Sequence, residues 1–221
     1  MIIAIDGPAG SGKSSTARMV AEALNILHLD TGAMYRAITL KCLRNRIGLS
    51  DEKTIAGVME NTSIAFRGSP PDTQLWMDGE NVGKAIRGDD VTKNVSDYCA
   101  VPLVREKLVD MQRAIAKGLS VVCEGRDIGT VVFPDAELKF FMTASIEERA
   151  RRRMKDFRRM GIAKSKSELI AEIADRDRKD STRKLSPLKK AVDAREIDTT
   201  SMTLEEQVRC IVDAAKALNA P

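Results

Sequence analysis

Three glycines, a lysine and a serine stand in the order G-x-x-x-x-G-K-S between Gly7 and Ser14, within the run IDGPAGSGKSS. Glycine adopts backbone conformations that let successive N–H groups converge, so such a turn can wrap phosphate oxygens. A helix starting near Lys13 adds its positive end to the same point. The Lys13 ammonium can then reach β- and γ-phosphates, and the Ser14 hydroxyl can ligate Mg²⁺. The turn, made of Gly7, Pro8, Ala9, Gly10, Ser11, Gly12, Lys13, Ser14 and Ser15, is expected to hold a nucleoside triphosphate. Where the phosphoryl group goes is left open by this turn: water, a protein, a sugar and another nucleotide all remain.

Other stretches speak to the acceptor. LDTGAMYRA, residues 29–37, places Asp30, Thr31 and Gly32 at a helix entry with Thr31 near the cap, followed by Tyr35 and Arg36. It reads either as a capped helix with a surface arginine or as an acceptor site where Arg36 grips a monophosphate. In CEGRD, residues 123–127, Arg126 and Asp127 follow an apolar run directly. They form either a structural ion pair or part of a ligand site, because an unpaired charge there is costly to bury. RDRKDSTR, residues 176–183, puts Arg176, Asp180 and Arg183 at i, i+4 and i+7, on one helix face. Such a face is either solvated or built for a ligand with phosphate, carbonyl and hydroxyl groups.

Composition narrows the chemistry. The chain has 221 residues, 43% hydrophobic and 31% charged, with one histidine and four cysteines. A single His28 excludes histidine dyads and triads. Cys42, Cys99, Cys123 and Cys210 show no C-x-x-C spacing, so buried or half-buried thiols are expected rather than zinc or disulfides. No apolar run approaches the roughly 20 residues of a membrane span, and the N-terminus lacks the features of a signal peptide. Both point to the cytoplasm. Net charge is +4, yet residues 149–190 hold sixteen Lys/Arg against six Asp/Glu. In SIEERARRRMKDFRRMG, residues 145–161, Arg149 and Arg153 lie at i, i+4, with Arg151, Arg152, Arg158 and Arg159 nearby. This is either a lid over transferring phosphates or a nucleic-acid stripe; with only Phe157 for stacking, the lid is favoured. No N-K-x-D motif accompanies the glycine turn, which disfavours a GTPase.

The elements that must position these groups follow from hydrophobic periodicity. Apolar runs at 2–5, 26–29, 119–123, 138–142 and, more weakly, 194–198 predict buried strands, and helical patterns such as 13–24 and 101–117 lie between them. Such alternation predicts a parallel sheet covered on both faces, with ligand loops along one edge. Residues 62–88 break the pattern and predict a small antiparallel meander with turns near 68–72 and 78–80. Residues 145–180 read as two helices interrupted at Gly161.

Taken in order, IDGPAGSGKS, LDTGAMYRA, the 62–88 insertion, EGRDIGTVVFPDA, ERARRR and RDRKDSTR resemble the bacterial cytidylate (CMP) kinases of the nucleoside-monophosphate kinase superfamily, essentially end to end. The resemblance implies an α/β P-loop kinase with a central parallel five-stranded sheet, a small antiparallel NMP-binding insertion and a short helical lid. Core segments would be 1–58, 99–145 and 180–221, the insertion about 59–98 and the lid about 146–179. It implies transfer of a phosphoryl group from ATP to CMP or dCMP with Mg²⁺ bound at Ser14, in a monomer with no nucleic-acid or membrane partner. Thr31, Arg105, Asp127 and Arg183 would read the cytosine; Ser96, Arg176 and Asp180 would contact the sugar. Arg36 and Arg126 would hold the acceptor phosphate, and Asp127 can also orient the acceptor. Lys13, Arg149 and Arg153 would neutralise charge on the transferring group. Another small-molecule kinase, accepting UMP or a different acceptor, and an ATP-binding RNA-associated protein are the alternatives.

Overall fold

Strand β1 (Ile2–Asp6) runs through the middle of the molecule in the computed structural model, which describes residues 1–68, 70, 72–159 and 161–218. It pairs in parallel with β6 (Val121–Gly125) on one side and β7 (Leu138–Thr143) on the other. Strands β2 (Leu27–Asp30) and β8 (Arg195–Asp198) complete a five-stranded parallel sheet in the order β2-β6-β1-β7-β8. The central strands β1, β6 and β7 are mostly apolar because helices cover both faces, whereas edge strand β8 buries only Ile197. Ile3, Ile5 and Val122 point to one side, into a core with Val20, Phe140 and Ile211. Ala4, Val121 and Cys123 point to the other, with Leu29, Met34, Ile38 and Leu108. Helices α1 (Lys13–Leu24) and α8 (Leu204–Leu218) build the first layer. Helices α2 (Thr31–Arg44), α3 (Glu52–Glu60), α4 (Asp89–Ala100) and α5 (Pro102–Ala116) contribute to the second.

The sequence pattern places the strand before EGRD at 119–123, whereas β6 occupies Val121–Gly125. Gly118, at φ +75°, and half-exposed Leu119 belong to the preceding turn. The two-residue shift draws Glu124 into the strand, where it is buried. The helix after β2 is capped by Asp30, whose Oδ1 accepts from the Ala33 amide at 2.8 Å; Thr31 is the first helical residue rather than the cap.

The antiparallel meander consists of β3 (Ile64–Arg67), β4 (Gln74–Met77) and β5 (Glu80–Asn81), in that order. Asp78 and Gly79, both at positive φ, make the second turn. Two residues of the first turn, 69 and 71, lie outside the described residues. Lys41 and Arg44 of α2 tie the sheet down through Asp78 and Glu80, each at 2.7 Å.

Helices α6 (Ile146–Arg159) and α7 (Lys166–Thr182) flank Gly161, which has φ +74°. Ala150, Phe157, Leu169 and Ile173 give this pair a small apolar cluster separate from the two main layers. Ser165 and Glu168 form a reciprocal capping box at the start of α7. That helix ends at Thr182, so Arg183 takes an extended backbone conformation and leaves the helical face that its i+7 spacing predicts. Leu188 N–H donates back to the Asp180 carbonyl at 2.8 Å, closing the helix end. All four cysteines are free thiols; Cys42 and Cys123 are buried and Cys99 half-buried. Cys210 is exposed, against expectation, because it falls on the outer face of α8.

Candidate active site

The loops that follow β1, β2, β6 and β7 meet along one sheet edge, as parallel topology requires. The glycine turn leaves β1 with Gly7, Gly10 and Gly12 all at positive φ. Gly7 is obligatory: a Cβ there would lie 2.1 Å from the Met142 carbonyl oxygen. Behind the turn, Thr199 Oγ1 donates to the Ser11 carbonyl at 2.9 Å and Thr16 Oγ1 to Gln207 at 2.8 Å. The Lys13 ammonium donates to the Pro8 carbonyl at 2.8 Å and to Ser11 Oγ at 3.4 Å. Burial, reinforced by the charge of Arg126, lowers its pKa to about 7. Asp6, at the end of β1, accepts from the Ile128 and Gly129 amides at 2.8 Å each, fixing the turn that carries Asp127.

Beside Lys13, Ser14 Oγ donates to Glu124 Oε2 at 2.7 Å, and His28 Nε2 lies 3.1 Å from Glu124 Oε1. Although burial opposes ionisation, the hydrogen bond from His28 holds the Glu124 carboxyl below its usual range. Burial and then the charge of Glu124 push Asp30 up. Two crowded carboxylates and a hydroxyl form a hard oxygen donor set. Among the described residues there is no group of three or more His, Cys, Asp or Glu side chains able to hold a metal ion alone. The set therefore fits a cation that arrives with phosphate ligands.

The arginines and aspartates singled out in CEGRD and RDRKDSTR join Arg105 in one chain of alternating charge, with Arg105, Asp127 and Asp180 buried and Arg126, Arg176 and Arg183 half-buried. Arg105 pairs with Asp127, and Arg183 lies 3.9 Å from both Asp127 and Asp180. Asp180 also meets Arg126 Nε at 2.8 Å and Arg176 Nε at 4.0 Å. Arg126 and Asp127 do not pair with each other as adjacent residues; each crosses to a partner on another helix. Four arginines against two aspartates leave a positive excess. Arg36 adds to it, anchored to Thr92 Oγ1 at 2.9 Å and the Ile86 carbonyl at 3.3 Å. Burial and the neighbouring charge of Arg176 lower Arg36 to about 9. Four buried donor atoms here, Arg105 Nε, Arg176 Nε, Arg183 Nη2 and Tyr35 OH, have no hydrogen-bond partner among the described residues, the carboxylates near Arg176 and Arg183 standing beyond hydrogen-bond reach. Each such donor costs about 1–3 kcal/mol until an acceptor reaches it.

Thr31 Oγ1 donates to the Glu124 carbonyl at 2.7 Å, so its hydrogen is engaged within the protein and its lone pairs remain. Ser96 is half-buried on α4, one turn beyond Thr92 and on the same face. Lys179 meets Asp97 at 3.2 Å, joining α4 to α7. Arg149 is committed to the Ala9 carbonyl at 3.2 Å, the Ala144 carbonyl at 3.1 Å and Asp177 at 2.6 Å. The Arg153 guanidinium lies 5.0 Å from the Phe157 ring centre, facing the cleft. A cleft of about 1290 Å³ runs over Lys13, Ser14, Asp30, Arg36 and Arg153.

A glycine turn with a buried lysine beside a cluster rich in arginine suits phosphoryl transfer between two anions, and the sequence has close kin. Residues 3–217 match the family model described as cytidylate kinase. The chain belongs to the cytidylate kinase family. A cytidylate kinase from Pelotomaculum thermopropionicum is 47% identical over 216 residues, covering 97% of this chain and 96% of that protein. One from Geobacillus thermodenitrificans is 48% identical over 211 residues, covering 96% and 94%. Among solved structures, an uncharacterized protein from Eubacterium ventriosum shares the fold at TM-score 0.53 and 14% identity, covering 98% of this chain and 99% of that one.

Glu124, His28 and Asp177 join these contacts without a motif of their own in the sequence. Glu124 was hidden by the two-residue error in strand register, which left it at a strand end with no assigned task. His28 was set aside because one histidine cannot make a dyad, although it can support a carboxylate. Asp177 lies one position past Arg176 and faces Arg149, a pairing visible only once α6 and α7 pack.

Proposed function

We infer that this cytidylate kinase family member transfers the γ-phosphoryl group of ATP to CMP or dCMP, producing ADP and CDP or dCDP. The observation that carries the reading is the positive excess of the Arg105–Asp127–Arg183–Asp180–Arg126 chain beside Lys13, with donors in the same cluster that lack a hydrogen-bond partner among the described residues. A nucleoside monophosphate supplies what those groups lack: a dianion and several acceptors. Its phosphate is already ionised at neutral pH, so an acceptor oxygen attacks the γ-phosphorus without a strong base. Catalysis is then positioning and charge neutralisation.

Gly7 to Ser15 hold the triphosphate, with Lys13 on its β- and γ-phosphates. Arg36 and Arg126 grip the acceptor phosphate. Thr31, Arg105, Asp127 and Arg183 surround the cytosine, and Ser96, Arg176 and Asp180 face the sugar. Arg153 meets the transferring group, while Arg149 holds the glycine turn against α7. Ser14, with Glu124 and Asp30 behind it, would hold Mg²⁺, which supplies charge neutralisation on the phosphate oxygens. Residues 59–98 shape the acceptor side and 146–179 act as the lid over a core of 1–58, 99–145 and 180–221. A monomer in the cytoplasm is the proposed state. Among the described residues no helix is long and apolar enough to cross a membrane, and the exposed large apolar side chains are dispersed through the sequence.

A coupled ATP assay against CMP, dCMP, UMP, AMP and shikimate tests the reading. CMP and dCMP should turn over fastest. Turnover of AMP or shikimate with CMP inert overturns it.

A further inference from the structure

His28 is a titratable side chain at the donor site that the reaction leaves without a task. Its imidazole is largely buried, yet it reaches the cleft wall beside Ser14 and Asp30. Its Nε2 lies 3.1 Å from Glu124 Oε1, while Glu124 Oε2 accepts from Ser14 Oγ at 2.7 Å. An ionised carboxylate only accepts, so His28 Nε2 carries the hydrogen and donates. The two oxygens of one carboxylate are thus divided: one is held by the histidine, the other by the serine of the glycine turn. Asp30 stands directly across the strand pair from Glu124, with residues 30 and 124 in register. Without His28, Glu124 Oε1 would be buried, unpartnered and beside a second carboxylate. Released from that bond, the carboxylate is free to rotate away from Asp30, and the acceptor that orients the Ser14 hydroxyl moves with it.

We propose that His28 is a positioning residue of the donor site: by holding Glu124 Oε1 it fixes the carboxylate that aligns Ser14, and so sets how strongly nucleotide binding is coupled to Mg²⁺. The proposal rests on the phosphoryl-transfer reading for its choice of ligand. Its geometry is that of a support behind metal-facing oxygens, where substitutions typically cost 10–100-fold in metal affinity or activity.

The test is the ratio of ATP affinities with and without Mg²⁺, measured calorimetrically without acceptor on the full chain. Variants are His28→Leu, His28→Asn and His28→Gln. Glutamine places an amide N–H near the Nε2 position, whereas asparagine is too short to reach Glu124. His28→Leu and His28→Asn should each lose roughly tenfold of the Mg²⁺-dependent gain, and His28→Gln should retain most of it. Mg²⁺-free ATP affinity and CMP affinity should stay within a factor of about two. An unchanged ratio in His28→Asn overturns the proposal, as does an equal loss with and without Mg²⁺, which marks a merely structural role. Should His28→Leu fail to fold, the Asn and Gln pair decides alone. The outcome is separable from the functional reading: a wild-type protein inert toward every monophosphate overturns that reading, while the ATP ratios still report on His28.

Discussion

Binding of ATP should draw a proton onto Lys13. In the free protein, burial and the nearby Arg126 guanidinium lower this lysine from 10.5 to about 7. Converted at 1.36 kcal/mol per pH unit, the ammonium is disfavoured by about 5 kcal/mol. At pH 8 the side chain is therefore mostly neutral, donating to the Pro8 carbonyl. A triphosphate in the turn reverses the balance by placing several negative charges around Nζ, and the ammonium form returns. Uptake should approach about one proton per nucleotide at pH 8. The assay is titration calorimetry with Mg·ATP and no acceptor, in two buffers of different ionisation enthalpy, neither of them phosphate. Lys13→Met, assayed at higher concentration, should bind with essentially no uptake. Wild-type binding without proton uptake, or equal uptake in Lys13→Met, would refute the reasoning. The sign for folding is fixed by the same shift. The folded pKa lies below the unfolded one, so the unfolded chain binds more protons between about 7 and 10.5. The penalty is full below pH 7 and fades as the pH rises towards 10.5.

Two further outcomes follow from the site. Asp180→Asn leaves Arg126, Arg176 and Arg183 without their shared counter-charge, and should destabilise the free protein by about 3–5 kcal/mol. Urea unfolding checks this, and a loss under about 1 kcal/mol contradicts the assigned hub. Gly7→Ala forces a Cβ against the Met142 carbonyl, 2.1 Å away in this backbone, and should cost about 3 kcal/mol or more. A melting temperature equal to wild type would show that β1 and β7 can part at no cost.

Much of this molecule is legible in its sequence because hydrophobic periodicity reports burial directly. The runs at 2–5, 138–142 and 194–198 became β1, β7 and β8 nearly unchanged, and the glycine turn is recognisable from local chemistry alone. What stayed hidden depends on tertiary approach. Neighbours in the chain suggested an Arg126–Asp127 pair, but successive residues leaving a strand point to different sides, so each found a partner on another helix. Arg183 joins Asp127 and Asp180 from beyond the helix end, not from the helical face its spacing suggests. Leu119 looked like strand because it is apolar, but it is half exposed in a turn. That misplacement concealed the setting of Glu124. The exposure of Cys210 follows from its place on the polar face of amphipathic α8, between Glu206 and Asp213, and is masked only by the usual burial of free thiols.

Asp177 and Asp180 sit three residues apart on α7, just short of one helical turn. The first grips Arg149, which reaches the glycine turn through the Ala9 carbonyl; the second grips Arg126 in the acceptor pocket. A helix is nearly inextensible over so short a span, so this segment works like a crossbar bolted to two doors. Neither contact can shift along the helix axis independently of the other while α7 stays helical. The glycine turn and the arginine cluster are thus tied to one rigid span of about 4.5 Å, three residues of helix at 1.5 Å each.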